Sequence, residues 1–163
     1  IKISRSLRKT LKKEHYQIRT DGSFTQVMHA CASPRKGQAG TWIHPEMIAA
    51  YTALHDMGLA HSVETWMDGE LVGGLYGVAL GQVFFGESMF SYVPDASKIA
   101  LVHLAKQLQR WKFGLIDCQV KTDHLTSLGA REIPRSEFSQ QLDRLIADIK
   151  PGNKWSFDPV LIE

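Results

Sequence analysis

The densest pattern of apolar positions in this sequence lies between Glu70 and Ala100. Two segments rich in Val, Phe, Leu and Tyr flank Leu80-Gly81-Gln82, which predicts two strands joined by a tight turn. Glycine inside a strand lowers stability, so the many glycines here indicate bulges or the close approach of another backbone or a ligand. Apolar residues then recur at i, i+3, i+4 and i+7 behind Asp95, which predicts an amphipathic helix capped by that aspartate.

The segments before this stretch carry shorter patterns. Ser4 or Ser6 can cap a first helix whose apolar stripe runs through Leu7, Leu11 and His15. A short strand, a serine-capped helix and a helix opened by proline are predicted next, at Tyr16–Arg19, Phe24–Cys31 and Pro45–Gly58.

Further strands and a last helix follow from the same kind of pattern. Alternating side chains predict a strand over Ala60–Met67, and Asp68-Gly69 is a hairpin signal before the next strand. A three-stranded antiparallel meander is therefore expected from about Ala60 to Phe90. Downstream, Leu115–Val120 predicts a short apolar strand and Ser136–Ile149 a final amphipathic helix.

The order of these elements predicts an α+β fold. A strand–strand–helix–strand order with a bulged central strand is typical of acetyltransferase-like (GNAT-like) domains, in which an antiparallel or mixed sheet is flanked by helices. Such a sheet commonly brings an amine and an activated acyl group together. The tail is expected to pack through Trp155 and Phe157, and no repeat or linker divides residues 1–163, so a single domain is predicted.

Composition adds little to this interpretation. A length of 163 residues with 44% apolar and 22% charged residues is typical of one globular domain. No apolar run in the sequence is long enough to span a membrane. Cys31 and Cys118 form neither a metal-binding pair nor a disulfide framework, which favours a reducing cytoplasm.

Positive charge is concentrated at the start of the chain, although the net charge is only +2. Lysines and arginines crowd the positions before the first acid, Glu14: Lys2, Arg5, Arg8, Lys9, Lys12 and Lys13. Such a run fits a solvated helix face and a patch that neutralises nucleic-acid phosphates equally well. Trp42 follows a basic, glycine-rich loop and also has two interpretations. It either packs in the core or stacks on a nucleobase, a contact worth roughly 1–3 kcal/mol.

Asp117 and Gln119 are the polar residues that stand out within the strand predicted over Leu115–Val120. Residues two apart in a strand share one face, so their side chains are expected to lie together. Within an apolar run they are expected to be buried, and buried polar groups need partners. The pair therefore predicts either a contact that bridges a loop or a site built on a rigid strand.

Several segments together, in this order and spacing, are similar to the bacterial leucyl/phenylalanyl-tRNA–protein transferase family. They are Ser4-Arg5-Ser6, Gly40-Thr41-Trp42-Ile43, His61-Ser62-Val63-Glu64, Leu71-Val72-Gly73-Gly74-Leu75-Tyr76-Gly77, Phe85-Gly86-Glu87-Ser88-Met89-Phe90, Ala96-Ser97-Lys98, Leu115-Ile116-Asp117-Cys118-Gln119-Val120, His124-Leu125-Thr126-Ser127-Leu128-Gly129-Ala130 and Ile133-Pro134-Arg135. The resemblance covers nearly the whole chain. Members carry a small N-terminal domain before the basic helix, and this sequence is expected to lack it.

The resemblance implies an aminoacyl transfer. Leu or Phe, and sometimes Met, would move from the 3′ end of its tRNA to the N-terminus of a protein that begins with Arg or Lys. The product would then be marked for N-end-rule degradation. The implied partners are Leu-, Phe- and Met-tRNA and the acceptor proteins, with no metal, diffusible cofactor or membrane. A cytoplasmic monomer is expected.

The resemblance also implies roles for the polar residues. Asp117 would hydrogen-bond Gln119 and help its amide oxygen to accept the proton of the attacking amine, although a neutral amide favours orientation over proton abstraction. Glu87 would contact the cationic acceptor end through a charge-assisted pair. Trp42 would stack on the terminal adenosine. At Thr122 the family is expected to carry Asn, so this position receives no role.

Apolar and basic residues complete the implied site. Leu75, Phe84 and Ile116 would line the pocket for the donor side chain, and ordinary core packing is the alternative for all three. The tRNA backbone would contact the cations of the first helix: Arg5, Arg8, Lys9, Lys12 and Lys13.

Two other functions compete with this interpretation. A non-catalytic RNA-binding module would use the basic helix and Trp42 but would not need the Asp117/Gln119 pair. A small-molecule N-acyltransferase of the same fold would need a glycine-rich pyrophosphate loop at a helix N-terminus, with a Q/R-x-x-G-x-G/A pattern. The sequence contains no such pattern.

Overall fold

A computed structural model of the chain describes residues 1–13, 15–33, 41, 43–147, 149 and 152–158. Six helices and five strands follow one another in these residues: α1 (Arg5–Leu11), β1 (Gln17–Thr20), α2 (Phe24–Ala32), α3 (Pro45–Asp56), β2 (Ala60–Met67), β3 (Glu70–Leu80), β4 (Val83–Ser91), α4 (Ala96–Arg110), β5 (Leu115–Asp117), α5 (Asp123–Ser127) and α6 (Arg135–Leu145). None of the helices in this described part is both long and apolar enough to cross a membrane.

The five strands form one mixed sheet in the order β1-β2-β3-β4-β5. Neighbours from β1 to β4 are antiparallel, which confirms the predicted meander, whereas β5 runs parallel to β4. The predicted bulges are also present. In the β3–β4 pair Tyr76 faces Ser88 and Gly77 faces Gly86, so Glu87 is an extra residue on β4. A bulge of this kind bends the strand and redirects the side chain that it carries.

Helices cover both faces of the sheet. On one face α4 packs over Val63, Leu75 and Phe84, together with the apolar side of α1. On the other face α2 packs against Tyr76 and Phe90, with α3 beside it. These layers confirm the predicted α+β architecture.

The spacing of β3 against its neighbours depends on glycine. A Cβ on Gly77 would run into the carbonyl oxygen of Phe85 and the ring of Phe84. A Cβ on Gly73 would likewise collide with Ala96 at the start of α4. The glycines predicted from the sequence to permit close approach therefore let strand, ring and helix pack without a gap.

Helix ends differ from the prediction at three places. Helix α1 is capped by Ser4 as expected but stops at Leu11, so His15 lies outside it; the hydroxyl of Tyr16 donates to the Leu11 carbonyl at 3.2 Å. Asp95 does occupy the N-cap position of α4, but its φ is +66° and its carboxylate does not cap the helix. That carboxylate binds Lys98 Nζ at 2.8 Å instead.

The final helix is shorter than the predicted Ser136–Ile149. It spans Arg135–Leu145, and the Leu145 carbonyl accepts the N–H of Gln82 in the β3–β4 turn at 2.7 Å. This contact turns the chain end toward the sheet instead of continuing the helix. It could not be anticipated from the periodicity of α6 itself.

A buried carboxylate joins the tail to the sheet. Asp21 is only 4% exposed and accepts hydrogen bonds from His61 Nδ1 at 2.8 Å, the Ser62 N–H at 2.9 Å and the Trp155 N–H at 2.6 Å. The indole of Trp155 stacks on the His61 ring with centroids 3.9 Å apart. Trp155 and Phe157 both pack on the α4-side core, which confirms the predicted packing of the tail.

Candidate active site

The geometry around Asp117 and Gln119 differs from the sequence prediction. Strand β5 ends at Asp117, and Gln119 lies in a tight turn with φ +59°. Because the chain turns there, the two side chains do not share a strand face, and Gln119 is exposed while Asp117 is half-buried. The predictions of a common face and of burial are therefore wrong.

A different contact links these two residues. Asp117 Oδ1 accepts the backbone N–H of Gln119 at 3.1 Å, and the N–H of Val120 donates to the Cys118 carbonyl at 2.7 Å. A left-handed conformation is unfavourable for a residue other than glycine, and a hydrogen bond to its backbone offsets part of that cost. Asp117 thus stabilises the turn that presents the Gln119 side chain to solvent, which corresponds to the loop-bridging alternative; the catalytic role stays a prediction.

Glu87 lies close to the end of β5. Phe85 on β4 is in register with Asp117, and a Cβ on Gly86 would lie 3.5 Å from the Asp117 carbonyl oxygen. The bulge places Glu87 immediately beyond this point, where β4 continues and β5 has ended. Residue Glu87 and the Asp117–Gln119 turn therefore occupy neighbouring positions at the point where the two parallel strands part.

Tyr51 of α3 lies next to Glu87 and is not among the site residues predicted from the sequence. Its hydroxyl lies near the carboxylate of Glu87. Burial, and then the hydrogen bond and charge of Glu87, raise the pKa of Tyr51 to about 12. The phenol is therefore protonated at neutral pH and carries an O–H group beside the Glu87 carboxylate.

Tyr76 lies beneath the same bulge. Its hydroxyl is fully buried and has no hydrogen-bond partner within the described part of the chain. Burial, followed by the nearby Cys31, Tyr51 and Glu87, raises the pKa of Tyr76 strongly. This phenol is neutral, so it adds a dipole but no charge below Glu87.

The three residues predicted to line the donor pocket do lie together. Phe84 is in register with Ile116, and both pack with Leu75 on the α4 face of the sheet. Leu75 is 3% exposed and Phe84 is 1% exposed, while Ile116 is half-buried. This packing fits the core alternative directly, and the pocket role stays a prediction.

The residues predicted to contact nucleic acid are the cations of α1 and Trp42. Leu7 and Leu11 point into the core, so α1 turns its basic side outward. Every cation of the predicted patch is exposed: Arg5, Arg8, Lys9, Lys12 and Lys13. Trp42, predicted to stack on adenosine, lies outside the described residues.

An open cavity of about 690 Å³ is lined in part by the Asp117–Gln119 turn. One wall is the continuous segment 114–121, and the other consists of residues 129–133 and the first half of α6. An ion pair between Lys121 and Glu132 joins the two walls, with Nζ and Oε2 2.7 Å apart. Ile133 and Phe138 give the second wall a half-buried apolar surface.

The family of the chain follows from comparison with known proteins. Residues 1–143 match the family model described as leucyl/phenylalanyl-tRNA protein transferase. The chain belongs to this family. The site described above falls within the matched residues, and among the described residues no group of three or more His, Cys, Asp or Glu side chains could hold a metal ion.

Curated leucyl/phenylalanyl-tRNA–protein transferases are similar along almost the entire chain. The proteins from Nitrosomonas eutropha and Nitrosomonas europaea are each 72% identical over 158 residues, which is 97% of this chain and 68% and 67% of theirs. The protein from Nitrosospira multiformis is 67% identical over 163 residues, covering all of this chain and 70% of that one. The chain thus spans about two thirds of the length of these transferases.

Solved structures support the fold. A transcriptional regulator from Bacillus halodurans is 16% identical with a TM-score of 0.50, covering 88% of this chain and 100% of that one. An aminoglycoside acetyltransferase from a soil metagenome is 11% identical with a TM-score of 0.51, covering 91% and 98%. At these identities the likeness concerns the fold alone, and it confirms the acetyltransferase-like sheet of this transferase family member.

Proposed function

We propose that the chain transfers leucine or phenylalanine from an aminoacyl-tRNA to a protein. The observation that carries the proposal is the match of residues 1–143 to the leucyl/phenylalanyl-tRNA protein transferase model. The neighbouring positions of Glu87 and the Asp117–Gln119 turn, where β4 and β5 part, support the proposal, because an amine and an ester need a common place to meet.

The chemistry asks for positioning more than for a strong base. An aminoacyl ester is already activated, and orientation of the reactants can contribute up to roughly 7–11 kcal/mol. An N-terminal amine has a pKa of about 8, so a usable fraction is neutral at cellular pH. In the proposed mechanism the exposed amide of Gln119 orients the amine, and Asp117 holds the turn that carries it.

Acceptor selection is proposed to rest on Glu87. A carboxylate beside the protonated Tyr51 hydroxyl is suited to a cationic acceptor that begins with Arg or Lys. We further propose that Met-tRNA also serves as a donor, that Trp42 stacks on the terminal adenosine, and that the product enters N-end-rule degradation. The reaction is assigned to a monomer in the cytoplasm.

One assay tests the function. Labelled Leu-tRNA is incubated with the chain and a peptide beginning with Arg, and a peptide differing only in an N-terminal Ala serves as the control. Transfer to the Arg peptide and little to the Ala peptide is the expected result. Binding of tRNA without transfer to any peptide would favour the RNA-binding module and overturn the proposal.

The exposed cations of α1 are expected to set the salt dependence of tRNA binding. Changing Arg8, Lys9 and Lys12 to Gln should weaken tRNA binding, because each phosphate contact contributes about 0.7–0.9 to the log–log slope against salt. Loss of all three contacts should therefore reduce the slope by about 2–3 units. The measurement is the tRNA Kd between low and moderate salt.

A second variant, which loses the same number of positive charges elsewhere, is the control for a general effect of net charge on tRNA binding. Lys112, Arg144 and Lys154 are also exposed and can be changed to Gln together. This second variant has the same net charge as the first and should keep the slope of the unmodified chain. Equal slopes in the two variants would mean that α1 is a solvated helix face that does not contact the tRNA phosphates.

Donor choice tests the residues on the α4 face of the sheet. Shortening the pocket wall with Phe84→Leu should shift preference toward the larger Phe donor by about tenfold, since a pocket discriminates by roughly 1–3 kcal/mol per methylene-sized change. The measurement is a competition between Leu-tRNA and Phe-tRNA. Phe90→Leu makes the same change in the core of the opposite face and should leave the preference unchanged. Identical donor ranking in both variants would identify Phe84 as core packing only.

A further inference from the structure

The cavity lined by the Asp117–Gln119 turn lies beside the outer edge of β5. Successive side chains of a strand point to opposite faces of a sheet, so a cavity beside one face is lined by every second residue. Here the consecutive residues Gly114, Leu115, Ile116 and Asp117 all line it. The cavity therefore runs along the backbone of β5 and not over either face.

This edge of β5 is available for pairing. β5 is the last strand in the sheet order, and among the described residues its only strand neighbour is β4. The outer edge of such a strand presents N–H and C=O groups to which an extended chain can add. Val120, which follows the turn at Gln119, is 64% exposed and lines the same cavity.

We propose that the acceptor polypeptide binds along this edge as an added strand, with the residues behind its N-terminus in the cavity between β5 and α6. The inference rests on the proposed function, in which Gln119 orients the N-terminal amine. A chain whose amine lies there must continue somewhere, and this turn lines the open cavity. Its volume of about 690 Å³ lies within the range of about 300–1,000 Å³ usual for binding pockets.

Main-chain pairing suits acceptors that share only their first residue. Hydrogen bonds to the peptide backbone are independent of the side-chain sequence, so one edge can hold many different proteins. The opposite wall adds a mild preference. Ile133 and Phe138 offer apolar contact, and Arg131 and Arg135 add exposed positive charge beside the Lys121–Glu132 pair. Acceptors with acidic or apolar residues after the first position should bind better than basic ones.

Peptide length and N-methylation test the added strand. The KM of a hexapeptide beginning with Arg should be about tenfold below that of the matching dipeptide, the gain expected from one or two net hydrogen bonds. In a paired strand only every second residue directs its N–H toward the neighbour. N-methylation along the hexapeptide should therefore raise the KM at alternate positions and leave it nearly unchanged at the others. Equal effects at all positions, or no effect of length, would overturn the inference.

A charge reversal tests the wall of the cavity. Arg135→Glu should raise the KM for a hexapeptide with acidic residues at positions three to five by about tenfold relative to one with lysines there. Arg144→Glu makes the same change on α6 outside this cavity and should leave the ratio of the two KM values unchanged. An unchanged ratio in Arg135→Glu combined with a weaker tRNA Kd would assign the cavity to the nucleic acid and overturn the inference.

Different results would overturn the added strand and the aminoacyl transfer itself. If dipeptides and hexapeptides both accept Leu but no alternation or charge preference appears, the edge inference is overturned and the proposed function stands. If no Arg-starting peptide of any length accepts Leu or Phe from tRNA, the proposed function itself is overturned, and the inference with it.

Discussion

Asp117→Ala is expected to lower the turnover of aminoacyl transfer by about 100-fold while leaving tRNA affinity nearly unchanged. The carboxylate accepts the N–H of Gln119, whose φ of +59° is unfavourable without such support. Once the turn relaxes, the Gln119 amide moves away from the amine, and a displacement of about 1 Å can cost 10²-fold in rate. The measurement is single-turnover transfer at saturating Leu-tRNA.

A conservative variant separates position from charge. Asp117→Asn keeps an oxygen that can accept the Gln119 N–H but removes the negative charge. If Asp117 acts by holding the turn, this variant should retain most of the activity that Asp117→Ala loses. Equal losses in Asn and Ala would favour the polarising role of the carboxylate instead.

The side chain of Gln119 has its own control. Gln119→Ala and Gln119→Gly both remove the amide, and glycine also adopts the left-handed turn without strain. Both variants should therefore lose activity to a similar degree, with unchanged thermal unfolding and tRNA Kd. Full activity in either variant would exclude the amide from the reaction.

Asp21→Ala should have the largest effect on stability. Asp21 is almost completely buried and accepts hydrogen bonds from His61, Ser62 and Trp155. Because a carboxylate can only accept, His61 Nδ1 must carry the proton in this contact. Removing one member of a buried network of this kind costs about 3–5 kcal/mol, a large share of the roughly 5–15 kcal/mol that stabilises a domain.

Urea denaturation measures this loss as a lower midpoint. Asp143→Ala removes the same side chain from an exposed position on α6 and should change the free energy of unfolding by no more than about 0.5 kcal/mol. Similar midpoints for the two variants would mean that the Asp21 network contributes little to stability.

The strands were predictable where the sequence carries a local pattern. Alternation over Ala60–Met67 and the apolar segments around Gly81 matched β2, β3 and β4, because side-chain period and turn residues act on the same short stretch. The segment Leu115–Val120 shows the limit. Its composition fits a strand, but β5 ends early because Gln119 has a positive φ. A glutamine in the sequence does not indicate such a left-handed conformation.

The candidate site was only partly predictable for a related reason. Glu87 could be named because the resemblance covered it. Tyr51, whose hydroxyl lies near Glu87, is on α3, and its spacing there fits a core position equally well. Leu75 and Phe84 have side chains that suit a core and a pocket alike. Contacts between distant segments, such as Asp21 with His61, leave no trace in residue type or spacing.

The bond between Asp21 and Trp155 also bears on the order in which the chain folds during synthesis. The two residues are 134 positions apart, so Asp21 has no access to this partner until residue 155 has been translated. The α2 and α3 side of the sheet is complete once Phe90 has left the ribosome, because its core uses only earlier residues. The α4 side lacks its covering indole until residue 155 emerges. The α2 and α3 face can therefore form before the tail completes the packing of the α4 face.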